Sequence, residues 1–329
     1  VKKAANNSLT IKDYFCSKPR NEDEIRERVK RARTRLESEA SSFSFLFLLL
    51  HICLLNSYSV LQRGSFHALH CEDALFHSKL HQHLHLIAVM DGCTMGKDSV
   101  FAAFLLKKYL AHQARSIGHQ LWRSPDALPQ YLPELLSYLL VDLHQNLRGL
   151  QNQLMLEKDE LLSTLVVGVI DPQHSLAEFA IVGDGVVIVD GKTFAFDQGD
   201  RPDYLAYHLT EDPHQWVEKL EQRLSFTSWN DLSIATDGIE SFRCLHSTSE
   251  KKAPRNVVHE MGVNQDFLEY PNALVRKVMH LEEAHQLIPT DDLAMLRVRR
   301  GIAAREREAR TREGRGENNF EVVSRKVCH

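Results

Sequence analysis

Short apolar runs and longer segments with helical spacing alternate through the middle of the chain. Aliphatic runs of about four to eight residues, bounded by polar or turn-forming residues, are typical of buried strands. They predict strands at 59–63, 74–77, 84–90, 161–170, 177–182, 186–189, 232–236 and 293–298. Apolar residues at helical spacing predict helices at 98–110, 128–160, 213–224 and 272–285. Asp190-Gly191, between two apolar runs, indicates a hairpin turn.

The order of these elements favours an α+β fold. Strands that are linked by hairpins and separated by long helices fit antiparallel sheets covered by helices better than alternating βαβ units. Three regions follow from the pattern. They are a charged arm with an apolar segment at 1–57, a folded domain at 58–298 and a charged tail at 299–329.

Acidic residues interrupt or end several of the apolar runs. They are Glu72-Asp73, Asp91, Asp237 and Asp291-Asp292. A carboxylate at the end of a buried strand is costly unless it is paired or holds a metal ion. One such residue before a glycine is usually only a turn. Several from distant strands predict a shared site for a hard cation, since oxygen ligands suit Mg²⁺ or Mn²⁺.

Composition limits the class of protein. The 329 residues are 43% apolar and 26% charged, as in folded soluble proteins. A formal charge of −4 argues against a nucleic-acid partner. The six cysteines form no Cys-x-x-Cys pair, which excludes a zinc ribbon and favours free thiols in a reducing, cytoplasmic compartment.

The segment 41–60 has two interpretations. It contains no Lys, Arg, Asp or Glu, but its densely apolar part covers only 43–55. A membrane span needs about 20 mostly apolar residues, so a helix docked on the main domain is favoured. The alternative is a membrane anchor preceded by basic residues.

Six motifs along the chain resemble those of the metal-dependent protein phosphatases, the PPM or type 2C family, in the same order. The closest likeness is to the bacterial branch. The motifs are His70-Cys-Glu-Asp-Ala74, Val89-Met-Asp-Gly92, Leu162-Ser-Thr-Leu-Val166, Val182-Gly-Asp-Gly185, Ala235-Thr-Asp-Gly238 and Thr290-Asp-Asp-Leu293. The resemblance implies an αββα four-layer sandwich, in which helices flank two central antiparallel sheets. It also implies a serine/threonine phosphatase that acts on phosphoproteins.

The resemblance assigns roles to the acidic residues. Two Mg²⁺ or Mn²⁺ ions would activate a bridging hydroxide that attacks phosphorus in line. Asp91 would bridge the ions and the Gly92 carbonyl would bind one of them. Glu72 would hold the second ion, while Asp237 and Asp291 would hold the first. Asp91, Glu72 and Asp237 are therefore the expected catalytic residues.

Two further carboxylates have weaker assignments. Asp73 would act beside the metal ions through water, and Asp184 matches the position of a third ion in some family members. Gly-Asp-Gly around Asp184 also fits an ordinary hairpin. Asp292 competes with Asp291 for the last ligand position, where the family normally has Asp-Asn.

Departures from the family pattern leave a second function open. Cys93 replaces the usual histidine after the metal-binding Asp-Gly, and Ala68 stands where many members have a phosphate-binding arginine. His67 or Arg63 would supply the positive charge for phosphate instead, with His70 a further candidate. The alternative to an enzyme is a pseudophosphatase of the same fold that acts as a binding or regulatory module.

Three alternating histidines form a separate polar cluster. If 81–85 is one strand, His81, His83 and His85 share one of its faces. Such a face is either a transition-metal site or, as favoured here, a solvated surface.

Overall fold

A computed structural model describes residues 55–124, 128–129, 131–199, 202–244 and 256–301. Most of the predicted arm 1–57, the dense apolar part of 41–60 and nearly all of the tail 299–329 lie outside these residues. None of the helices that the structure describes is long and apolar enough to cross a membrane. The compartment stays a prediction.

Most strands that the structure describes form two five-stranded antiparallel sheets. In sheet A the order is β1 (Asn56–Gln62), β12 (Leu293–Arg299), β9 (Asp231–Ala235), β6 (Gly185–Val189) and β7 (Lys192–Phe196). In sheet B it is β2 (Ala74–His81), β3 (Leu84–Met90), β4 (Leu165–Asp171), β5 (Leu176–Val182) and β8 (Arg223–Phe226). A small separate pair joins β10 (Phe242–Cys244) and β11 (Leu287–Pro289).

Helices cover the outer faces of both sheets. The described helices are α1 (Ser99–Arg123), α2 (Leu132–Leu154), α3 (Leu205–His208), α4 (Pro213–Lys219), α5 (Val257–Gly262) and α6 (Ala273–His285). The first four pack on sheet B, and the last two pack on sheet A.

Strand β3 shows how the four layers arise. Leu86 and Met90 face the helices on sheet B, whereas Ile87 and Val89 face sheet A. Successive side chains of a strand point to opposite faces, so a continuous apolar run must be buried on both sides. The predicted αββα sandwich is confirmed.

Several element boundaries differ from the predictions. The hairpin at Asp190-Gly191 is confirmed, and both residues have the positive φ angles (48° and 85°) that its tight turn requires. The predicted helix 213–224 is wrong at its end. The helix stops at Lys219, and Arg223–Phe226 is strand β8, which pairs with β5. Pairing with a sheet edge overrides local helical spacing here.

The prediction that His81, His83 and His85 share one strand face is also wrong. Gln82 has a φ of 35° and, with His83, forms the turn between β2 and β3. His81 therefore ends β2, while His85 belongs to β3. A two-residue turn without glycine gave no hairpin signal in the sequence.

A buried ion pair joins β12 to β9. Arg297 is fully buried, and its Nε and Nη2 atoms donate to the Asp231 carboxylate at 2.8 Å and 2.6 Å. Its Nη1 atom also donates to the carbonyl oxygens of Met261 and Asn264, at 3.2 Å and 2.8 Å. The guanidinium thereby holds the end of α5 against sheet A.

We expect Arg297→Ala to lower the free energy of unfolding by about 3–5 kcal/mol, because it leaves Asp231 without its buried partner. Arg299→Ala is the matched control. Arg299 is half-buried and contacts the same carboxylate at 3.0 Å, so its loss should cost about 1 kcal/mol or less. Urea unfolding followed by tryptophan fluorescence measures both. Equal losses in the two variants would contradict the importance of the buried pair.

Candidate metal centre

The predicted acidic residues gather at one end of the sandwich because of the strand order. Asp73 precedes β2 and Asp91 follows β3, and those strands pair with Ala74 opposite Met90. In sheet A, Asp237 follows β9 and Asp291 lies just before β12. In an antiparallel pair, one strand begins at the end of the sheet where its neighbour stops. Residues before one strand and after the next therefore lie at the same end of the sheet. Hydrogen bonds from Thr236 to Asp73 and from the Glu72 N–H to Asp292 join these ends of the two sheets.

Asp73 and Asp91 are neighbours in this centre. Asp73 is inaccessible to solvent, and its Oδ2 atom accepts a 2.7 Å hydrogen bond from the Thr236 hydroxyl. Its Oδ1 atom is buried and has no hydrogen-bond donor while Asp91 is ionised, although a protonated Asp91 carboxyl would be within hydrogen-bonding reach of Asp73. Burial and the neighbouring carboxylates raise the pKa of Asp73 to about 7. Burial and the Asp73 carboxylate likewise hold the pKa of Asp91 well above its usual range.

Asp237 and Asp291 come from sheet A. Desolvation and the Asp291 carboxylate raise the pKa of Asp237 to about 6, even though part of its side chain faces solvent. Asp184 also contributes to this effect and is itself buried. Its Oδ1 atom accepts a 2.7 Å hydrogen bond from the Gln198 N–H, which places the 197–199 loop beside the centre.

The structure distinguishes Asp292 from Asp291. Asp292 is buried, and its carboxylate accepts hydrogen bonds from the Gly64 N–H at 2.6 Å and from the Glu72 N–H. The Asp291 side chain is 47% exposed and faces the centre. Asp292 therefore fixes the loop that carries Glu72, while Asp291 remains accessible to a cation.

Glu72 lies at the more open side of the centre. Its two carboxylate oxygens accept hydrogen bonds from the Thr94 hydroxyl at 2.9 Å and from the Ser99 hydroxyl at 2.6 Å. Both hydroxyls belong to the segment that follows Asp91-Gly92. They orient Glu72 toward that segment, and no pattern in the sequence singled them out.

Gly92 and Gly238 must be glycines because the backbone of a neighbouring loop lies very close to each of them. A Cβ atom at Gly92 would lie 1.9 Å from the Ser99 carbonyl oxygen, and one at Gly238 would lie 1.8 Å from the Asp292 carbonyl oxygen. Neither glycine has a positive φ angle. Their small size is therefore required to bring loops of the centre together, rather than to form a turn.

Thr236 is a residue whose importance the sequence analysis missed. Besides donating to Asp73, its hydroxyl accepts a 2.9 Å hydrogen bond from the Ala294 N–H. It thereby connects a sheet A strand to a sheet B carboxylate. A threonine at the end of a buried strand, directly before Asp237, was the only available signal.

The two predicted phosphate ligands both have intramolecular partners. His67 lies 2.7 Å from Asp292 and 3.4 Å from Asp291. Partial burial lowers its pKa, but the hydrogen bond to Asp292 and nearby negative charges outweigh this and raise it. Arg63 is exposed and donates to the Ala68 carbonyl oxygen at 2.7 Å. Ala68 itself is exposed in the same loop.

The donor set fits hard divalent cations. It consists of carboxylate oxygens, including the unpartnered Asp73 Oδ1 atom, and like charges this close destabilise one another unless protons or cations neutralise them. Within the described residues, no three of these acidic groups bring their oxygens within 4.8 Å of one another. Ligands spread over two ions about 3.5–4 Å apart do not need to form so tight a group.

Cys93 packs at the edge of the centre. The half-buried Cys93 thiol is free and lies within hydrogen-bonding reach of the Tyr204 hydroxyl. Burial and this contact raise the pKa of Tyr204 far above its usual value. The residue after Asp91-Gly92 is thus a cysteine whose thiol contacts the phenol of Tyr204.

Comparison with known proteins agrees with this architecture. The sequence profile of the family described as Protein phosphatase 2C matches residues 63–279. A search of the curated proteins found no match.

Several solved structures are similar to this chain. A bacterial serine phosphatase is 13% identical, with a TM-score of 0.50 over 75% of this chain and 99% of that chain. PppA of Pseudomonas aeruginosa, titled a key regulatory component of T6SS, is 18% identical, with a TM-score of 0.46 over 75% and 98% of the chains. The S. agalactiae serine/threonine phosphatase is 12% identical, with a TM-score of 0.48 over 75% and 99%.

We expect the metal-free protein to lose stability as the pH rises from about 4 to about 7. The pKa of Asp73 is about 7 in the folded protein, against 3.8 as its ordinary value, so the folded state binds the extra proton in this range. One such proton gives a slope of about 1.4 kcal/mol per pH unit at most. Asp73→Asn should flatten the slope, and Mg²⁺ should stabilise the wild type most at the upper end of the range.

Urea unfolding in EDTA over this pH range measures the effect. Asp266→Asn, which removes an exposed carboxylate outside the centre, is the control and should retain the wild-type slope. Parallel pH profiles for wild type and Asp73→Asn would show that the pKa of Asp73 is not raised in the folded protein.

Proposed function

Because the chain belongs to the protein phosphatase 2C family, we propose that it is an active metal-dependent serine/threonine phosphatase, which hydrolyses phosphomonoesters on phosphoproteins. The family is metal-dependent, and its substrates are phosphoproteins. The observation that carries the proposal is the convergence of carboxylates from both sheets, with the pKa values of Asp73, Asp91 and Asp237 raised by burial and by neighbouring carboxylates. Such a cluster is unfavourable unless protons or cations neutralise it, and at neutral pH and above cations are the more effective of the two.

We assign the metal ligands as follows. Asp91 would contact two Mg²⁺ or Mn²⁺ ions, and the Gly92 carbonyl would contact one of them. Glu72 would hold one ion, and Asp237 with Asp291 would hold the other. The exposure of Asp291, in contrast to the buried hydrogen-bonded Asp292, supports the choice between those neighbours.

Two further carboxylates complete the assignment. Asp73 would act through water, which its unpartnered Oδ1 atom supports. Asp184 would serve a third ion, and its burial beside Asp237 supports that role.

The bound cations would supply the chemistry, by lowering the pKa of water and offsetting the charge of the phosphoryl group. The protein's own contribution is to fix the ligands before the substrate arrives. Thr236 orients Asp73, the hydroxyls of Thr94 and Ser99 orient Glu72, and Asp292 fixes the backbone of Glu72. Ligands that are held in place by such partners bind metal more tightly than free ones.

Specific contacts support the alternative, a pseudophosphatase that binds partners without turnover. His67 is engaged by Asp292 and Asp291, and Arg63 by a carbonyl oxygen of its own loop. Phosphate binding would therefore require at least one of these groups to change partners. The carboxylates favour the enzyme, because a binding module gains nothing from keeping them crowded.

The first test is hydrolysis of p-nitrophenyl phosphate and a phosphothreonine peptide with and without Mn²⁺. We expect metal-dependent turnover in the wild type, and a loss of roughly 100-fold or more in Asp91→Asn and Asp237→Asn. Loss of a mere supporting contact to a ligand already costs about 10–100-fold. Asp266→Asn is the control that should keep full activity. A folded, metal-loaded wild type without turnover on either substrate would identify the pseudophosphatase.

The exposed Ala68 offers a gain-of-function test. We expect Ala68→Arg to lower KM for p-nitrophenyl phosphate by about tenfold, because a hydrogen bond to a charged group contributes about 1.5–3 kcal/mol. Ala68→Lys should help less, since an ammonium cannot make the paired contacts of a guanidinium. Steady-state kinetics measure KM and kcat separately. An unchanged KM in both variants would show that this loop does not reach the substrate.

A further inference from the structure

His83, Asp171 and His174 form a compact cluster far from the acidic centre. His83 Nε2 lies 3.2 Å from Asp171 Oδ2, and His174 Nδ1 lies 2.6 Å from the same oxygen. The two imidazole rings meet edge to face, with their centroids 5.0 Å apart. One ligand atom from each residue lies within 4.8 Å of the other two.

The cluster occupies the opposite end of sheet B. Strand β4 begins at Leu165, next to the Thr164 that contacts Asp91, and ends at Asp171. A strand rises about 3.3 Å per residue, so the two ends of β4 are about 20 Å apart. The cluster therefore shares no residue with the centre proposed for phosphatase activity, and a conclusion about it does not rest on that function.

The surrounding chain holds Asp171 in place. Asp171 is 3% exposed, and its Oδ1 atom accepts hydrogen bonds from the Gln173 and His174 N–H groups at 2.9 Å and 3.1 Å. These bonds leave Oδ2 directed at the two imidazoles. The Pro172 carbonyl oxygen accepts a 2.8 Å hydrogen bond from the Nε atom of the buried Arg300, which anchors the turn to the end of sheet A.

The two histidines have different surroundings. The His83 side chain is 28% exposed, in the β2–β3 turn, and the His174 side chain is 54% exposed, in the β4–β5 turn. An ion between them would be reachable from solvent and could keep water as a further ligand. It would also join two adjacent hairpin turns.

We propose that His83, Asp171 and His174 bind a transition-metal ion of the Zn²⁺ class. Two imidazole nitrogens and one carboxylate oxygen are the ligands that Zn²⁺, Co²⁺ and Ni²⁺ accept, whereas Mg²⁺ requires oxygen ligands. Small rotations of the two rings would bring all three atoms to the distance of about 2.0–2.2 Å that Zn²⁺ requires. The ion would clamp the β2–β3 turn to the β4–β5 turn.

The test is titration of the full chain with Co²⁺, followed by visible absorbance, and with Zn²⁺, followed by calorimetry. Both are carried out after EDTA treatment and with excess Mg²⁺ to fill oxygen sites. We expect a saturable site in the wild type whose affinity falls tenfold or more in His174→Ala and in His83→Ala. His214→Ala is the matched control, because His214 is exposed on α4 and lies outside the cluster.

Two further comparisons make the outcome decisive. Asp91→Asn should keep the site, which separates it from the acidic centre and from the proposed phosphatase activity. Zn²⁺ should raise the melting temperature of the wild type but not that of His174→Ala, whose metal-free melting temperature should match the wild type. No saturable site in the wild type, or equal affinities in the wild type and both cluster variants, would overturn the proposal.

Discussion

The main constraint on this structure is that its backbone must hold several carboxylates close together although they repel one another. Asp73, Asp91 and Asp237 are each desolvated, and neighbouring carboxylates raise the pKa of each further. A chain that relaxed freely would separate them. Here the close backbone approach at Gly92 and Gly238 prevents that separation, since these loops have no room for a side chain between them. The packing of the whole sandwich therefore offsets the unfavourable free energy of bringing these carboxylates together.

The two-sheet architecture is what makes this confinement stable. Strands with apolar residues on both faces, such as β3 and β4, lie between helices on one side and sheet A on the other. Their ends cannot move independently, because each is paired along its length with antiparallel neighbours. Thr236 and Asp292 then join the sheets at the acidic end through hydrogen bonds to Asp73 and to the Glu72 backbone. The geometry of the acidic centre therefore depends on the stability of the core.

Local pattern predicted the buried strands and the acidic residues at their ends, whereas the four layers were an expectation from the family resemblance. A buried strand shows in its apolar run, and a carboxylate at its end is visible in any window around it. Local pattern could not predict that Arg223–Phe226 joins the edge of sheet B, or that Gln82 turns the chain, because partner strands decide both. Nor could it assign Asp292 its partners, since Gly64 and Glu72 lie more than two hundred residues away.

The two ends of sheet B present different ligands, and that difference bears on how the chain would select metal ions. Oxygen donors at the acidic end suit hard ions such as Mg²⁺, which bind water strongly and keep several water ligands. The imidazoles of His83 and His174 suit ions that follow the Irving–Williams order, for which Mg²⁺ is a poor competitor. Because about 20 Å of paired strand separates the ends, the two sites share no ligand. The same rigid sheet could therefore hold a hydrolytic centre and a structural clamp, each loaded by its own class of ion.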